Sequence, residues 1–424
     1  MVAEPPAPGR AEKAEGFRDP LAPCVNCMVM RHTGRHFLQI PGPTNVPDRI
    51  LRAMDHPVID HRGPEFAALT HEIIEGLRPV FQTTGQIVIF PASGTGAVEA
   101  ALVNTLSPGD RVLVFETGHF SQMWRRIAEQ LGLDVEYAPG NWRRGASESD
   151  LESRLAADAR HTFKAVVVVH NETSTGVTTR VGALRTAMNR VAHPALLIVD
   201  AVSSLGSIDF RQDEWEVDVT VVGSQKGLML PPGLGFNAVS DKALAASRNA
   251  KLVRNYWDWR AVLEQNRAGF FPYTPATNLL LALREALRMI HEEGLHNVFL
   301  RHDRHARATR AAVQAWGLDI VCEDPREYSS SMTAFFMPDG HDADRFRSVV
   351  LEHFDMSLGV GLSKLAGKVV RIGHLGSFND LMLAGTLSGI EMGLRVAGVP
   401  HREGGVTAAL RSLAQEIAAA QPIG

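Results

Sequence analysis

Cysteine is scarce in this chain: Cys24, Cys27 and Cys322 are the only ones among 424 residues. Three thiols do not make a disulfide framework. Cys24 and Cys27 form a lone C-x-x-C in a Pro-rich stretch, half of the four ligands that a structural zinc needs, and read as incidental thiols. No metal site is expected, and a reducing, cytoplasmic setting fits. Long apolar runs are also missing. Ala165 to Val169 is typical, against the ~20 residues that cross a bilayer, so no membrane role is expected. Neither sign of charge dominates: Lys plus Arg is 43, Asp plus Glu is 47, and the net charge is −4. That balance carries no nucleic-acid footprint. Residues 1–34 include Pro5-Pro6-Ala7-Pro8-Gly9, lack the apolar core of a signal peptide, and read as a disordered N-terminal extension. Pro422-Ile423-Gly424 is not a peroxisomal signal.

What is present is an alternation of buried strands and helices. Ile87–Phe90, Arg111–Phe115, Lys164–His170, Ala195–Asp200, Val217–Val222 and Gly235–Val239 read as strands, the third with four consecutive valines. Between them lie helical stretches: Gly96–Leu106, a segment with Met123, Ile127 and Leu131 on one face, and residues 180–191. Strands this apolar, separated by helices, predict an α/β fold with a mainly parallel sheet covered on both faces. After about residue 275 the pattern shifts to helices at Leu279–Glu293 and Val298–Trp316, each closed by a glycine. Strands at Met332–Met337 and Val369–Ile372 and a helix at Leu381–Ala397 follow, predicting a smaller α+β domain. The expected division is 35–294 for a large domain and 295–424 for a small C-terminal one.

Ligands of parallel sheets bind beyond the carboxyl ends of the strands. Ser93, His170, Asp200 and Lys226 all fall there. Lys226 lies in Gly223-Ser224-Gln225-Lys226-Gly227, at the mouth of a buried strand, where burial lowers an ammonium pKa. A free amine there suits imine formation with an aldehyde cofactor; the plainer reading is a lysine that snorkels. Asp200 ends a strand and needs a partner, for which a protonated pyridine nitrogen is suited and a turn or N-cap is the ordinary alternative. The stretch from Asp200 to Lys226 has room for two further strands. Pro91-Ala92-Ser93-Gly94-Thr95-Gly96 joins a strand to a helix and can cradle a phosphate, or be a structural turn. His170 to Gly176 supplies hydroxyl and amide donors at the same rim, and Phe120 is an aromatic able to stack on a flat ring. Arg371, within an apolar strand, needs either a substrate carboxylate or a protein one. His374 touches substrate or is a satisfied structural histidine. His302 and His305 lie among charges and read as a solvated helix face.

Taken in order, Pro41-Gly42-Pro43-Thr44-Asn45, Asp60-His61-Arg62, Pro91–Gly96, His170–Gly176, Asp200–Ser204, Gly223–Leu230, Phe271–Pro275 and Arg371–Gly376 resemble the class V aminotransferases of pyridoxal-phosphate fold type I. Within them the chain is most similar to the serine–glyoxylate subgroup. The resemblance implies a large domain with a seven-stranded, mainly parallel sheet, the cofactor pyridoxal 5'-phosphate, and transamination of serine with glyoxylate. Amino acids and 2-oxo acids would be the substrates. It implies Lys226 as the imine-forming lysine and Asp200 at the pyridine nitrogen, with Val202 and Phe120 on the ring. Relatives from animals carry a tryptophan at the Phe120 position. It implies Ser93, Gly94, Thr95 and Gln225 near the phosphate and Thr173 near the ring oxygen. Tyr273 and Thr274 would bind cofactor, Thr274 from the other subunit of a homodimer; whether Phe271 or Tyr273 stands for the family's tyrosine is open. Arg371, Gly42 and His374 would meet substrate. An alanine or other small amino donor is the nearest alternative. A cysteine desulfurase is the remote one, because that chemistry needs a reactive cysteine and Cys322 lies in no motif.

Overall fold

The computed structural model describes residues 33–420. Cys24, Cys27 and nearly all of the expected N-terminal extension lie outside the described residues. In chain order the elements are β1 (Phe37–Gln39), α1 (Asp48–Met54), α2 (Pro64–Phe81), β2 (Gln86–Ala92), α3 (Gly94–Thr105), β3 (Arg111–Phe115), α4 (His119–Gln130), β4 (Asp134–Ala138), α5 (Glu148–Ala157), β5 (Phe163–Val169), β6 (Asn171–Glu172), β7 (Val177–Thr178) and α6 (Val181–Arg190). Then come β8 (Leu196–Asp200), β9 (Val219–Gly223), β10 (Gly233–Val239), α7 (Asp241–Ser247), α8 (Trp259–Asn266), α9 (Thr277–Glu293) and α10 (Leu295–Trp316). The chain finishes with β11 (Met332–Phe336), α11 (Ala343–Phe354), β12 (Met356–Leu358), β13 (Val369–Gly373), α12 (Asp380–Val396) and α13 (Gly405–Ala420).

A seven-stranded sheet in the order β2-β10-β9-β8-β5-β3-β4 forms the centre. The β8–β9, β5–β8, β3–β5 and β3–β4 pairs are parallel; β10 is antiparallel to both of its neighbours. Every strand except β10 therefore points its carboxyl end to one edge. The valines of β5 and the whole of β8 and β9 are buried, as strands covered on both faces must be. This is the mainly parallel sheet the apolar runs predict.

Only one strand, β9, separates Asp200 from Lys226, not two. Residues 201–218 run as turns, held partly by Ser204, Ser207 and Ile208 amides bonded within the segment. Edge strand β4 escaped the sequence reading because its residues are only partly buried and carry charge. A second apolar cluster gathers α10, β11, α11, β13, α12 and α13 around Trp316, Phe335, Phe346 and Leu387. Gly294 and Gly317, with φ of 82° and 79°, close α9 and α10 where the sequence places them. Among the described residues no helix is long and apolar enough to cross a membrane.

Candidate active site

The carboxyl edge of the sheet carries a cavity of about 190 Å³. Lys226, Asp200, Thr173, Phe120, Ser93, Gly94, Thr95, Val202 and Gln225 line it, together with Met123, Val169 and Asn171. Nine of the residues singled out in the sequence thus meet in one place, delivered by the carboxyl ends of β2, β3, β5, β8 and β9 or by the turns and helix starts that follow them.

Each wall has a local cause. Ser93 is the N-cap of α3 but makes no side-chain capping bond, so the first amides of a twelve-residue helix face the cavity uncommitted. Gly94 is buried against Val202, and a Cβ there would lie 3.0 Å from Val202 Cγ2. The Gln225 Oε1 is buried with no hydrogen-bond partner. Asp200 ends β8. Its Oδ1 accepts from the Val202 amide at 2.9 Å and its Oδ2 from the Trp124 indole at 2.8 Å. Burial pushes its pKa up, and these two donors oppose the rise. Thr173 Oγ1 donates to Ser203 Oγ at 2.6 Å, and Asn171 Nδ2 donates to the same hydroxyl at 2.8 Å.

Lys226 is buried, and its Nζ donates to the carbonyl of Pro41 and, at 3.4 Å, to that of Gly42. It makes no ion pair with Asp200. Burial first, then the charge of Arg371, lowers the amine to about 7. Gly42 has φ of +90°, and a Cβ there would come within 2.5 Å of Nζ. The sequence reading put Gly42 beside substrate; the structure places it against the Lys226 side chain.

Arg371 lies on β13, buried, with no carboxylate paired to it. Its Nε donates to Val360 O at 2.6 Å and its Nη1 to Thr173 O at 2.8 Å. No direct ion pair forms: backbone carbonyls orient the guanidinium, and the Glu172 charge favours its protonated form only through space. Burial lowers its pKa to about 10.

Other residues lie apart from this cavity. His374 is fully buried, bonded through Nε2 to Thr333 Oγ1 at 3.0 Å, and does not line it. Tyr273 stacks on Tyr256 with ring centroids 4.7 Å apart and donates to Ile89 O. Thr274 is exposed. His302 and His305 are the clearest correction: both are fully buried rather than solvated. His302 accepts from the Gly376 amide at 3.0 Å and His305 pairs with Asp380 at 3.0 Å. Their rings are buried, while the long arginines beside them reach around to the same partners: Arg304 also binds Asp380, and Arg301 donates to the Gly376 carbonyl. Trp124 and Met123 were missed as site residues, while Asn171 is the amide donor of the His170–Gly176 loop. The signal for Trp124 was present: it stands one helical turn after Phe120, on the same face.

The profile of the family described as "Aminotransferase class-V" matches residues 36–363. This chain is a class-V aminotransferase. It is 49% identical over 392 residues to the serine–glyoxylate aminotransferase of Methylorubrum extorquens, covering 91% of this chain and 98% of that protein. It is 45% identical over 391 residues to the L-aspartate–glyoxylate aminotransferase of Paracoccus denitrificans, covering 92% and 99%. The crystal structure of ureidoglycine–glyoxylate aminotransferase from Bacillus subtilis superposes with a TM-score of 0.83 at 30% identity, over 90% of this chain and 99% of that one.

The aminotransferase works with pyridoxal phosphate, and the residues present fit that group. The uncommitted amides of α3 suit a phosphate. The Gln225 carboxamide is unpartnered at its oxygen, and its NH2 is the end able to donate to an anion. Each Asp200 oxygen is engaged by a single donor, which leaves acceptor capacity for a ring N–H. Lys226 offers an amine that is half neutral near pH 7.

Proposed function

We propose that the enzyme transfers the amino group of L-serine to glyoxylate, giving hydroxypyruvate and glycine. The observation that carries this reading is a buried, near-neutral Lys226 amine in one cavity with Asp200, beside an Arg371 that is held by backbone carbonyls and makes no salt bridge. The serine preference rests on likeness to the Methylorubrum extorquens enzyme.

The start of α3, with Ser93, Gly94, Thr95 and Gln225, would hold the cofactor phosphate. Val202 and Phe120 would flank its ring, Thr173 would meet the ring oxygen, and Asp200 would keep the ring nitrogen protonated. Bound there, the cofactor supplies the electron sink that makes the substrate Cα proton acidic. Arg371 binds the substrate carboxylate by its fork and fixes which Cα bond faces Lys226. Lys226 Nζ takes that proton and returns it one position along, acting as base and then acid; a pKa near 7 suits both directions at neutral pH. His374, buried behind β13, would support the Arg371 strand rather than touch substrate.

The exposed Thr274, beside the Tyr256–Tyr273 stack, supports a homodimer in which Thr274 of each protomer reaches the other's phosphate site. The second apolar cluster supports a small domain beginning near residue 295. A cytoplasmic setting agrees with the paucity of cysteine. A desulfurase reading is disfavoured: Cys322 is buried and its thiol is pushed up to about 12 by burial.

Likeness to the Paracoccus denitrificans enzyme keeps aspartate as a second donor, with alanine a third. Steady-state rates with serine, aspartate and alanine against glyoxylate test the assignment; serine is expected to have the highest kcat/KM, and a higher value for either other donor refutes it. Lys226→Ala is expected to abolish turnover and the visible absorbance of the bound cofactor, and retention of both would sink the lysine's role.

A further inference from the structure

The first turn of α4 has an unusual cap. Its N-cap is Gly118, which has no side chain to accept the first amides. Those amides are satisfied instead by the segment that follows β5. The His119 amide donates to Ser174 Oγ at 3.0 Å, the Phe120 amide to Glu172 Oε1 at 3.3 Å and the Ser121 amide to Glu172 Oε2 at 3.2 Å. Glu172 also accepts from the Ser174 amide at 3.2 Å and from the Ser174 hydroxyl at 2.6 Å. Glu172 is fully buried. Glycine at 118 is what lets the carboxylate in: a Cβ there would lie 2.5 Å from Glu172 Cδ.

The helix held in this way carries three groups of the site. Phe120 and Met123 line the cavity, and Trp124 donates to Asp200. The residue after Glu172 faces the other half: Thr173 lines the cavity, and its carbonyl accepts from Arg371. We infer that Glu172 is a positioning residue of the aminotransferase: it caps α4 from outside, sets Phe120 and Trp124 against the cofactor site, and ties them to the Thr173 peptide that orients Arg371. Cofactor-facing and substrate-facing groups then share one reference point, three residues long, at the end of β5. The inference rests on the cofactor assignment but not on which amino acid is the donor.

The test uses Glu172→Gln, with Ser174→Ala as a milder probe of the same cap, and each combined with Phe120→Leu. The carboxamide keeps the shape of Glu172 but turns an NH2 toward amides that need an acceptor. Affinity of apoenzyme for pyridoxal phosphate is read from quenching of tryptophan fluorescence, without any substrate. E172Q is expected to weaken it roughly fivefold to tenfold, about the worth of one helix cap, and S174A by less. In the F120L background the same E172Q change is expected to move affinity by less than in the parent, the remainder being carried through Trp124 and Asp200. KM for the preferred donor should rise with E172Q as Arg371 loses its frame. A drop in melting temperature with cofactor affinity and donor KM both unmoved would overturn the inference, leaving Glu172 purely structural. So would full additivity of E172Q with F120L. A wrong donor assignment would change neither fluorescence result.

Discussion

Replacing Gly42 by alanine should separate stability from catalysis. Two costs arise. The residue has φ of +90°, where an L side chain is disfavoured by about 1–2 kcal/mol. The new Cβ would also lie 2.5 Å from Lys226 Nζ and 2.8 Å from its Cε. Ordinary contact distances are ~3.5–4.0 Å, so the amine must retreat by about 1 Å. The lysine stem is flexible and can yield, which keeps the folding cost small. But a displacement of about 1 Å at the group that moves the proton is worth about a hundredfold in rate, or about 2.7 kcal/mol of barrier. G42A is therefore expected to unfold only slightly earlier than the parent while kcat falls about a hundredfold and the visible cofactor band weakens. Thermal unfolding, steady-state kinetics and an absorbance titration with pyridoxal phosphate measure the three quantities. A variant with parental kcat and an unchanged spectrum would refute the view that the Pro41–Gly42 turn seats the amine.

Three further outcomes follow from the same site. Trp124→Phe removes one donor to a buried carboxylate and should cost the apoenzyme about 1.5–3 kcal/mol at neutral pH. Burial already raises the Asp200 pKa, so its ionisation destabilises the fold as pH rises through that value. The W124F deficit should accordingly shrink on acidification, and a pH-independent deficit would mean lost packing alone. Lys226, lowered to about 7 by burial and by Arg371, should capture the cofactor at a rate that climbs up to pH near 7 and then levels. The apoenzyme gains stability from this group between that pH and the ordinary lysine value of 10.5, where only the unfolded chain holds the proton; a capture rate still rising near 10 would contradict the lowered value. Arg371→Lys loses the two-point fork and should raise the donor KM about tenfold, against less than about twofold if the guanidinium only braces Val360 and Thr173.

The sheet was legible because its strands are written twice over, in apolar runs and in the glycine, proline and serine turns that end them. The turn at Pro91–Gly96 and the Asp200 and Lys226 strand ends could be placed at the rim for the same reason: position at a strand's carboxyl end is a one-dimensional property. The errors fall where neighbours in sequence differ in burial. His302 and His305 sit among Arg301, Asp303 and Arg304, yet a helix sends every third or fourth residue to one side, and theirs is the core.

The amino-acid sequence by itself determined the α/β alternation, the rim on which the chemistry gathers, and the residue types present there. Only the tertiary structure decided which of them touch. Lys226 meets the Pro41 carbonyl across 185 positions, Arg371 meets Thr173 across 198, and Trp124 meets Asp200 across 76. Such bonds form between elements whose separation is set by the packing of the whole sheet, and no local pattern encodes them. A carboxylate capping a helix from another strand's end, as Glu172 does, leaves no trace in either segment until the two are brought together.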